Sequence, residues 1–479
     1  MTLIHKNIPQ AAKASLWFLF ANIFQKAVMV IFTPVFTRIL TTEEYSKYAV
    51  FQSWETILSV FATLGIYNYA TAKALIEYQD DRDRYVASAE SLTLVLSVCV
   101  FGVYCLIRYG FGGLDGFPLW IMVFMFIDII STAIFSFWSQ MERFNQRYKM
   151  LAFLSIMMGV LSPSIAFILI RCSKYTGIYR GWSRIIGLTV VDGAVGIFLF
   201  ILCMRKSACF FSAKYWKFSI HYCIPLIPHF LATAFLQKIG QLFVDAYCGA
   251  ADSGIYSLGN TLAMLMMVVN DALTKTLVPW TYQKMSEKEY DAIHKPINLA
   301  LFLIAAVDVL MALLAPEILM IFATSSYAEA KYIVPPLVAV CFFGFLYNTY
   351  ANIEYYFKET KLVSLASISA GTIIVLGDYI FVPRFGLFAA AYVTLASYVV
   401  YALMHYLFMN KTLKKHLQGI SVYNNRFIFS IAAVFLAIIF GIPVLYKAAL
   451  ARYITIAIVG IIFWANRKRI FAFIRGKAL

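Results

Sequence analysis

Charged residues are scarce in this sequence: only 13% of its 479 positions are Asp, Glu, Lys or Arg, against roughly 25% in soluble globular domains. So little charge cannot cover a large surface that faces water, and the composition excludes an ordinary soluble enzyme. Hydrophobic residues make up 62% of the sequence. Apolar runs of about 20 residues, long enough to cross a bilayer, recur along the chain. The composition therefore predicts lipid as the solvent of this protein.

Motifs of soluble-enzyme chemistry are also missing. The sequence contains no G-x-x-x-x-G-K-[ST] loop, no G-x-S-x-G and no H-E-x-x-H. Its eight cysteines form no C-x-x-C pair, and six histidines are too few for a zinc site, so we expect packing cysteines. The sequence thus predicts a membrane protein that is not an enzyme and that needs no metal or cofactor.

Fourteen apolar segments are predicted to span the membrane, which makes the fold class an all-α polytopic membrane protein. They are joined by short connections. Their centres lie near residues 27, 59, 97, 128, 160, 192, 233, 268, 307, 344, 372, 398, 436 and 456.

The basic residues predict how these helices are oriented. If the N-terminus is cytoplasmic, 26 of the 40 Lys and Arg residues lie in cytoplasmic segments, 11 on the other side and three within spans. Cytoplasmic loops carry the excess of Lys and Arg, so both termini are predicted inside. The loop 171–184 dissents, with four basic residues on the outer side. The net charge of +16 then reflects topology and contact with anionic headgroups, and no nucleic-acid partner is expected.

The sequence contains an internal repeat. IFQKA (23–27) echoes FLQKI (235–239) at an offset of 212 residues. EEYSKY (43–48) then matches ADSGIY (251–256), Glu142 and Lys149 match Glu354 and Lys361, and YTGIYRG (175–181) matches RFGLFAA (384–390). The offset spans six helices, an even number, so the two halves share one orientation. We predict an N-lobe at 1–206 (helices 1–6), a C-lobe at 207–410 (helices 7–12) and helices 13–14 at 411–479.

Four helices, two in each lobe, carry one polar stripe each at helical spacing. The stripes predict a polar cavity between the lobes, because ionisable side chains in a span usually face a bundle interior. Ion pairs that only hold the bundle together, Lys238 with Asp245 or Asp271 with Lys275, are the alternative. The stripes comprise Asn22, Lys26, Met29, Thr33 and Thr37; Gln52, Glu55, Ser59 and Thr63; Lys238, Gln241 and Asp245; and Asn260, Met264, Met267, Asp271 and Lys275.

Individual charges in the spans have separate predicted roles. Lys26 and Lys238 occupy equivalent repeat positions, and an ammonium suits phosphate. Proton or sodium coupling is assigned to Glu55, Asp245 or Asp271. Ion pairs at helix ends, with an interfacial or gating role, are predicted for Glu142, Arg143, Glu354 and Lys358. Asp128, Asp192, Asp308 and Asp378 add single carboxylates, of which Asp308 and Asp378 are expected to pack against neighbouring polar groups.

Several segments resemble those of a known family. They are FTRILTTEEYSKYAVF (36–51), IPLIPHFLATAFLQKIGQLFVDAYCGAADSGIYSLGN (224–260), SSYAEAKYIVPPLVAV (325–340), EYYFKETK (354–361) and VPRFGLFAAAYVTLASY (382–398). The sequence is similar to Wzx-type O-antigen and polysaccharide flippases of the MOP superfamily, the relatives of MATE exporters and of the lipid II flippase. The resemblance covers residues 14–410.

The resemblance implies translocation of undecaprenyl-diphosphate-linked oligosaccharide across a bacterial inner membrane by alternating access. It implies V-shaped lobes around a cationic cavity. The family's cavity cations map by position onto Lys26, Arg38, Lys238 and Lys275, next to the polar Asn22, Gln52, Gln241 and Asn260. Helices 13 and 14 resemble a pair that forms a lipid-tail groove. The implied partners are the lipid-linked glycan, membrane lipids, a polysaccharide polymerase and the machinery that sets chain length.

Two other functions compete with this interpretation. A MATE-like ion-coupled antiporter for cations or drugs would favour an acidic, aromatic cavity, whereas Lys26, Lys238 and Lys275 argue against one. A membrane polysaccharide polymerase would need a sizeable outer loop with catalytic residues, and the longest outer loop here is too short.

Overall fold

The computed structural model of the protein describes residues 10–111, 116–465 and 467. Within these residues the backbone forms eighteen α-helices and four short 3-10 turns. The chain divides into two compact units, Met1–Ala234 and Phe235–Leu479. The lobes that we predict at 1–206 and 207–410, with the pair at 411–479, follow the sequence repeat and stay a prediction.

The first unit contains eight complete helices. Helix α9 (Ile227–Cys248) begins in this unit and ends in the second. The eight helices are α1 (Gln10–Ile39), α2 (Thr42–Thr63), α3 (Ala70–Glu77), α4 (Arg82–Phe111), α5 (Leu119–Phe144), α6 (Lys149–Thr176), α7 (Ser183–Ser207) and α8 (Ala213–Cys223).

The second unit continues with nine helices. They are α10 (Ala250–Met264), α11 (Met267–Ser286), α12 (His294–Leu313), α13 (Ala315–Phe322), α14 (Ala330–Tyr356), α15 (Thr360–Phe385), α16 (Leu387–Leu417), α17 (Asn425–Leu445) and α18 (Ala449–Ala465).

The predicted all-α membrane fold is confirmed. Each of the fourteen predicted span centres lies inside a helix. In the described part of the chain, eleven helical segments are long and apolar enough to cross a membrane, and α1, α2 and α18 contain the other three centres. Large apolar side chains face outward, such as Leu106 at 74% exposure, while carboxyls such as Glu354 and Asp378 are fully buried. A surface of this kind fits lipid and not water.

Helix α2 starts where its sequence places a capping box. The Thr41 hydroxyl accepts a hydrogen bond from the Glu44 backbone N–H at 3.2 Å, and the Glu44 carboxylate accepts one from the Thr41 N–H at 3.0 Å. Two of the free N–H groups at the helix start are satisfied in this way. The box thus fixes the residue at which α2 begins.

The sequence repeat is visible in backbone geometry at one pair of turns. After α5, Gln146 is left-handed with φ 56°, and the Arg147 N–H donates to the Glu142 carbonyl at 2.8 Å. After α14, Lys358 has φ 61°, and the Glu359 N–H donates to the Glu354 carbonyl at 2.8 Å. Both are Schellman-type helix ends, and the corresponding residues are 212 positions apart. The sequence repeat is thus reproduced in the backbone at this turn, and the parallel orientation of the two halves stays a prediction.

Helix α8 occupies a segment that the sequence analysis treats as a cytoplasmic loop before the seventh span. Its Trp216 indole N–H donates to the Ser88 carbonyl on α4 at 2.9 Å. The hydroxyls of Ser219 and Tyr85 lie 3.0 Å apart. Both contacts tie α8 to the first unit. A 3-10 turn, Ile224–Leu226, then leads into α9, so Pro225 and Pro228 stand at the helix start, where a missing N–H is tolerated.

The predicted eighth helix is not continuous, and the polar stripe assigned to it is wrong in one respect. α10 ends at Met264 and α11 begins at Met267. Around the break, the Met266 N–H donates to the Ala263 carbonyl in a tighter i to i+3 pattern. A stripe drawn at a constant 3.6 residues per turn from Asn260 to Lys275 assumes one uninterrupted helix, so Asn260 and Lys275 lie on separate helices.

Candidate functional site

Three carboxyl side chains from three helices of the first unit come together. Glu55 on α2 and Asp128 on α5 are within hydrogen-bonding reach of each other, and Asp192 on α7 interacts electrostatically with Asp128. Asp128 is 1% exposed. A hydrogen bond between two carboxyl groups needs a proton on one of them, and three adjacent carboxylates without one would repel strongly. We call Glu55, Asp128 and Asp192 the carboxyl cluster.

A cation stands beside this cluster on the same face of α7. Arg184 lies two turns before Asp192, and its guanidinium carbon is 4.0 Å from the centroid of the Tyr48 ring. The rings of Phe36 and Tyr45 lie 4.8 and 5.0 Å from it. Arg184 and Asp192 both line a cavity inside this unit. The geometry thus combines an aromatic-supported cation with proton-holding carboxyls.

Sequence reasoning misses Arg184, because it counts this residue among the basic residues of the outer loop 171–184. The structure instead places Arg184 in the first turn of α7. The signal was present in the spacing: residues 184, 188 and 192 share one face of a helix. The spacing does not show which helices pack against this face.

The predicted cavity residues of the first unit have different environments. Lys26 is exposed on α1, and Arg38 is exposed in its last turn. Gln52 Nε2 donates to the Tyr48 hydroxyl at 3.0 Å, which places Gln52 next to the carboxyl cluster. The side chain of Asn22 lies outside the described residues. Of these predicted residues, the structure therefore brings only Gln52 to the coupling candidate Glu55.

In the second unit, the predicted residues of α9 and α10 have different environments. Gln241 is buried, and its Nε2 donates to the Ser253 carbonyl at 2.9 Å and to the Ser253 hydroxyl at 2.6 Å. Lys238 and Asn260 are half-buried. One Asp245 carboxylate oxygen is buried and has no hydrogen-bond partner among the described residues. Gln241 thus joins α9 to α10, while Asp245 keeps an unused acceptor.

Helix α11 carries the remaining predicted pair of the stripes. Asp271 and Lys275 are exposed and stand one turn apart. The sequence places these two residues in one cavity with Lys26 and Arg38, and that shared cavity stays a prediction.

The helix-end residues are placed differently in the two repeats. Glu142 lies 4.0 Å from Arg147 across the turn after α5, and Arg143 is exposed there. Glu354 is fully buried one turn before the end of α14, and its carboxylate is 2.8 Å from His405 Nδ1. Lys358 is exposed in the left-handed turn position. The partner of Glu354 is thus a histidine of α16, which the sequence did not suggest.

Asp308 and Asp378, which we expect to pack against polar groups, are both buried. Both Asp378 carboxylate oxygens and one of Asp308 have no hydrogen-bond partner in the described part of the chain. A Cβ atom on Gly240 would lie 3.5 Å from Asp378 Oδ2 and 2.9 Å from the Tyr256 hydroxyl. The glycine thus leaves the room in which Asp378 and Tyr256 approach α9.

Helical segments long and apolar enough to cross a membrane, apolar outer surfaces and buried carboxyls define a polytopic membrane protein. Residues 11–285, more than half of the chain, match the polysaccharide biosynthesis protein family. The chain belongs to this family. The resemblance drawn from the sequence is therefore confirmed at the level of this family.

The chain is similar to two proteins of Haemophilus influenzae. An uncharacterised membrane protein is 21% identical over 392 residues, which covers 78% of this chain and 92% of that protein. A protein of the Lsg locus is 22% identical over 193 residues, or 39% of this chain. This second match spans about half, 48%, of the relative's own length.

Solved structures share the fold at low sequence identity. The lipid II flippase MurJ in an inward closed conformation matches with a TM-score of 0.66 and 15% identity, covering 95% of this chain and all of that chain. An inward-facing multidrug resistance MATE transporter of the MOP superfamily matches with a TM-score of 0.60 and 15% identity, covering 82% and 96%. These likenesses establish the fold that the sequence predicts.

Proposed function

We propose that this protein is a flippase that moves an undecaprenyl-diphosphate-linked oligosaccharide, such as an O-antigen repeat unit, across a bacterial inner membrane. Membership of the polysaccharide biosynthesis family is the observation that carries the proposal. The fold shared with a protein named as a lipid II flippase supports it, because that name describes movement of a lipid-linked molecule. The excess of basic residues on one side supports cytoplasmic termini.

The physical problem is that a glycan cannot cross hydrocarbon, whereas its polyprenyl chain can stay in lipid. Each repeat supplies one lysine at an equivalent position, Lys26 on α1 and Lys238 on α9. An ammonium is suited to the oxygens of a diphosphate. Two such cations, with Arg38 and Lys275, would hold the head group while one cavity opens alternately to either side of the membrane.

The carboxyl cluster supports proton coupling. Glu55, Asp128 and Asp192 need at least one proton to remain together, and a change in that protonation would change their mutual repulsion. Repulsion between groups on α2, α5 and α7 acts on the helices that carry them, so a proton gradient would bias the conformation of the first unit. Asp245 and Asp271 are the other coupling candidates. The proposed partners of transport are a polysaccharide polymerase and the chain-length machinery.

The test is transport of a defined lipid-linked oligosaccharide by the purified protein in proteoliposomes, with surface polysaccharide measured in cells. Lys238→Ala and Asp245→Ala should each lower both readouts at unchanged expression, while Lys411→Ala, an exposed lysine near the end of α16, should leave them unchanged. Normal transport by both cavity variants would remove the cavity assignment. Export of cationic drugs without glycolipid movement would instead establish the antiporter alternative.

A further inference from the structure

A cavity of about 240 Å³ lies inside the first unit, between α1, α2, α6 and α7. Its polar wall is formed by Gln25, Tyr48, Ser162, Arg184 and Asp192, and the rings of Phe32 and Phe36 complete it. Met29 and Thr33 of the polar stripe predicted on the first helix also line it, whereas Lys26 and Arg38, the predicted substrate cations of this unit, do not. Pockets for drug-sized molecules occupy about 300–1,000 Å³, so this cavity fits a molecule of one ring.

The donors of the cavity are available to a ligand. Arg184 forms no ion pair with any residue that the structure describes, and its guanidinium is held against aromatic faces instead. A guanidinium has five N–H groups in a fixed planar arrangement, and none of them is used by a carboxylate here. The Tyr48 hydroxyl accepts from Gln52 Nε2 at 3.0 Å, so its own O–H can still donate. The cavity therefore offers a strong donor and a neutral one.

Acceptors stand on the same walls. The Asp192 carboxylate is one, and the Gln25 side-chain carbonyl is another, because Gln25 Nε2 already donates to the Ser155 carbonyl at 2.7 Å. Ser162, another lining residue, has a buried Oγ that lacks a hydrogen-bond partner among the described residues. Such an unused buried hydroxyl is uncommon in a folded protein and calls for a partner.

This combination selects one class of ligand. An anion such as phosphate would be attracted by Arg184 but would pair with Asp192 only when that carboxyl group holds a proton, and a cation would be repelled by Arg184. A neutral ring whose hydroxyls both donate and accept can pair with Arg184 and with the Asp192 carboxyl group in either protonation state. The apolar C–H face of such a ring packs against aromatic side chains. These are the properties of a sugar ring.

We propose that the cavity around Arg184 is a binding site for a single sugar residue within the first unit. The cellular role of this site rests on the proposed function, since the sugar would belong to the lipid-linked glycan that the protein moves. Selection of the glycan would then depend on neutral hydrogen bonding at this cavity, separately from recognition of the diphosphate by lysines.

The experiment titrates the purified full-length protein, in nanodiscs, with methyl α-glucoside, methyl α-galactoside, methyl α-mannoside and N-acetylglucosamine. Inorganic phosphate and choline serve as anion and cation probes, and binding is followed by saturation-transfer NMR and calorimetry. We expect at least one sugar to bind. Arg184→Met and Asp192→Asn should weaken its binding by about tenfold or more, as expected for a lost hydrogen bond to a charged group.

Two further variants guard against misfolding and against a general effect of removing arginine. Tyr48→Phe removes one donor but keeps the ring that supports Arg184, so it should weaken sugar binding less than Arg184→Met does. Arg171→Met removes an exposed arginine that lies 5.9 Å from the Phe167 ring on α6, outside the cavity, and should bind sugar like the unmodified protein.

The proposal is overturned if no sugar binds the unmodified protein, if phosphate or choline binds and sugars do not, or if Arg184→Met and Tyr48→Phe both bind sugar normally. Sugar binding and flipping fail separately. A protein that transports the lipid-linked oligosaccharide but binds no free sugar removes this site alone. A protein that binds sugar through Arg184 but moves no lipid-linked oligosaccharide removes the flippase function alone.

Discussion

Gln146 and Lys358 lie 212 residues apart and adopt the same left-handed backbone conformation at the end of corresponding helices, with φ values of 56° and 61°. Each is followed by a residue whose N–H donates at 2.8 Å to the carbonyl five positions earlier, Glu142 in one turn and Glu354 in the other. The side chains of these two glutamates have different partners, Arg147 and His405. The repeat thus preserves the backbone turn while the side-chain chemistry differs.

Replacing Lys358 with glycine should stabilise the protein. A residue with a Cβ in the left-handed region is disfavoured by about 1–2 kcal/mol, and glycine escapes that strain. Its larger loss of chain entropy offsets part of the gain, so we expect a net stabilisation of up to about 1 kcal/mol. Lys358→Val should destabilise by a similar amount. Thermal unfolding in detergent compares the two variants, and equal melting temperatures would contradict the assigned conformation.

Replacing Gly187 with alanine should destabilise the contact between α6 and α7. Its Cβ would lie 2.6 Å from the Ser162 carbonyl oxygen and 2.8 Å from the Ala166 nitrogen, both backbone atoms that cannot rotate away. We expect a loss of about 1–3 kcal/mol, as for overpacking in a core. Gly441→Ala on α17 is the matched control, because nothing lies within 4 Å of its added Cβ. The control should be stabilised by up to about 1 kcal/mol.

Replacing one residue of the buried pair Glu354 and His405 should destabilise the protein more than replacing both. Both side chains are 0% exposed and 2.8 Å apart, so Glu354→Ala leaves a buried polar ring without a partner. We expect Glu354→Ala to destabilise by about 3–5 kcal/mol, and the double variant Glu354→Leu with His405→Leu to be affected less. The single and double variants are compared by chemical unfolding in detergent. A double variant less stable than either single one would show that the pair is not a unit.

Glu55→Gln and Asp128→Asn test the carboxyl cluster as a proton site. The amides keep the volume and the hydrogen bonding of the carboxyls but cannot exchange a proton. We expect transport driven by an imposed pH gradient to fall roughly 5–150-fold, the range of typical coupling free energies. The double variant should be no worse than either single one, because the two groups share one proton. Proteoliposomes with and without the gradient provide the measurement.

Glu77→Gln is the control for that experiment, since Glu77 is an exposed carboxylate at the end of α3. It should respond to the gradient like the unmodified protein. Unchanged gradient dependence in both Glu55→Gln and Asp128→Asn would show that the cluster only holds α2 and α5 together. In that case Asp245 and Asp271 would be the coupling candidates to test next.

The sequence predicts the fold well because the relevant signals are local. Every predicted span centre lies in a helix, since a run of about 20 apolar residues in lipid must satisfy its backbone groups internally. The exceptions are also local in origin. No glycine or proline lies between Met264 and Met267 to indicate the end of a helix, so the sequence predicts one helix where the structure has two.

The candidate site is predicted only in part. Helical spacing correctly puts Gln52 and Glu55 on one face of α2, and the structure places both beside Tyr48 and Asp128. The same reasoning assigns Gln241 to a cavity, whereas its amide is used by Ser253. Helical spacing cannot distinguish a polar residue that binds a ligand from one that hydrogen-bonds to another helix. The difference depends on which residues the neighbouring helix places beside it.

The sequence by itself indicates that lipid is the solvent and locates the apolar helices, because hydropathy and spacing are properties of single segments. Only the tertiary structure decides that Glu55, Asp128 and Asp192 meet, and that Arg184 stands against Tyr48 in a cavity and not in a loop. These residues come from helices far apart in the chain. Which faces meet depends on how the helices cross and pack, and no periodicity along one helix contains that information.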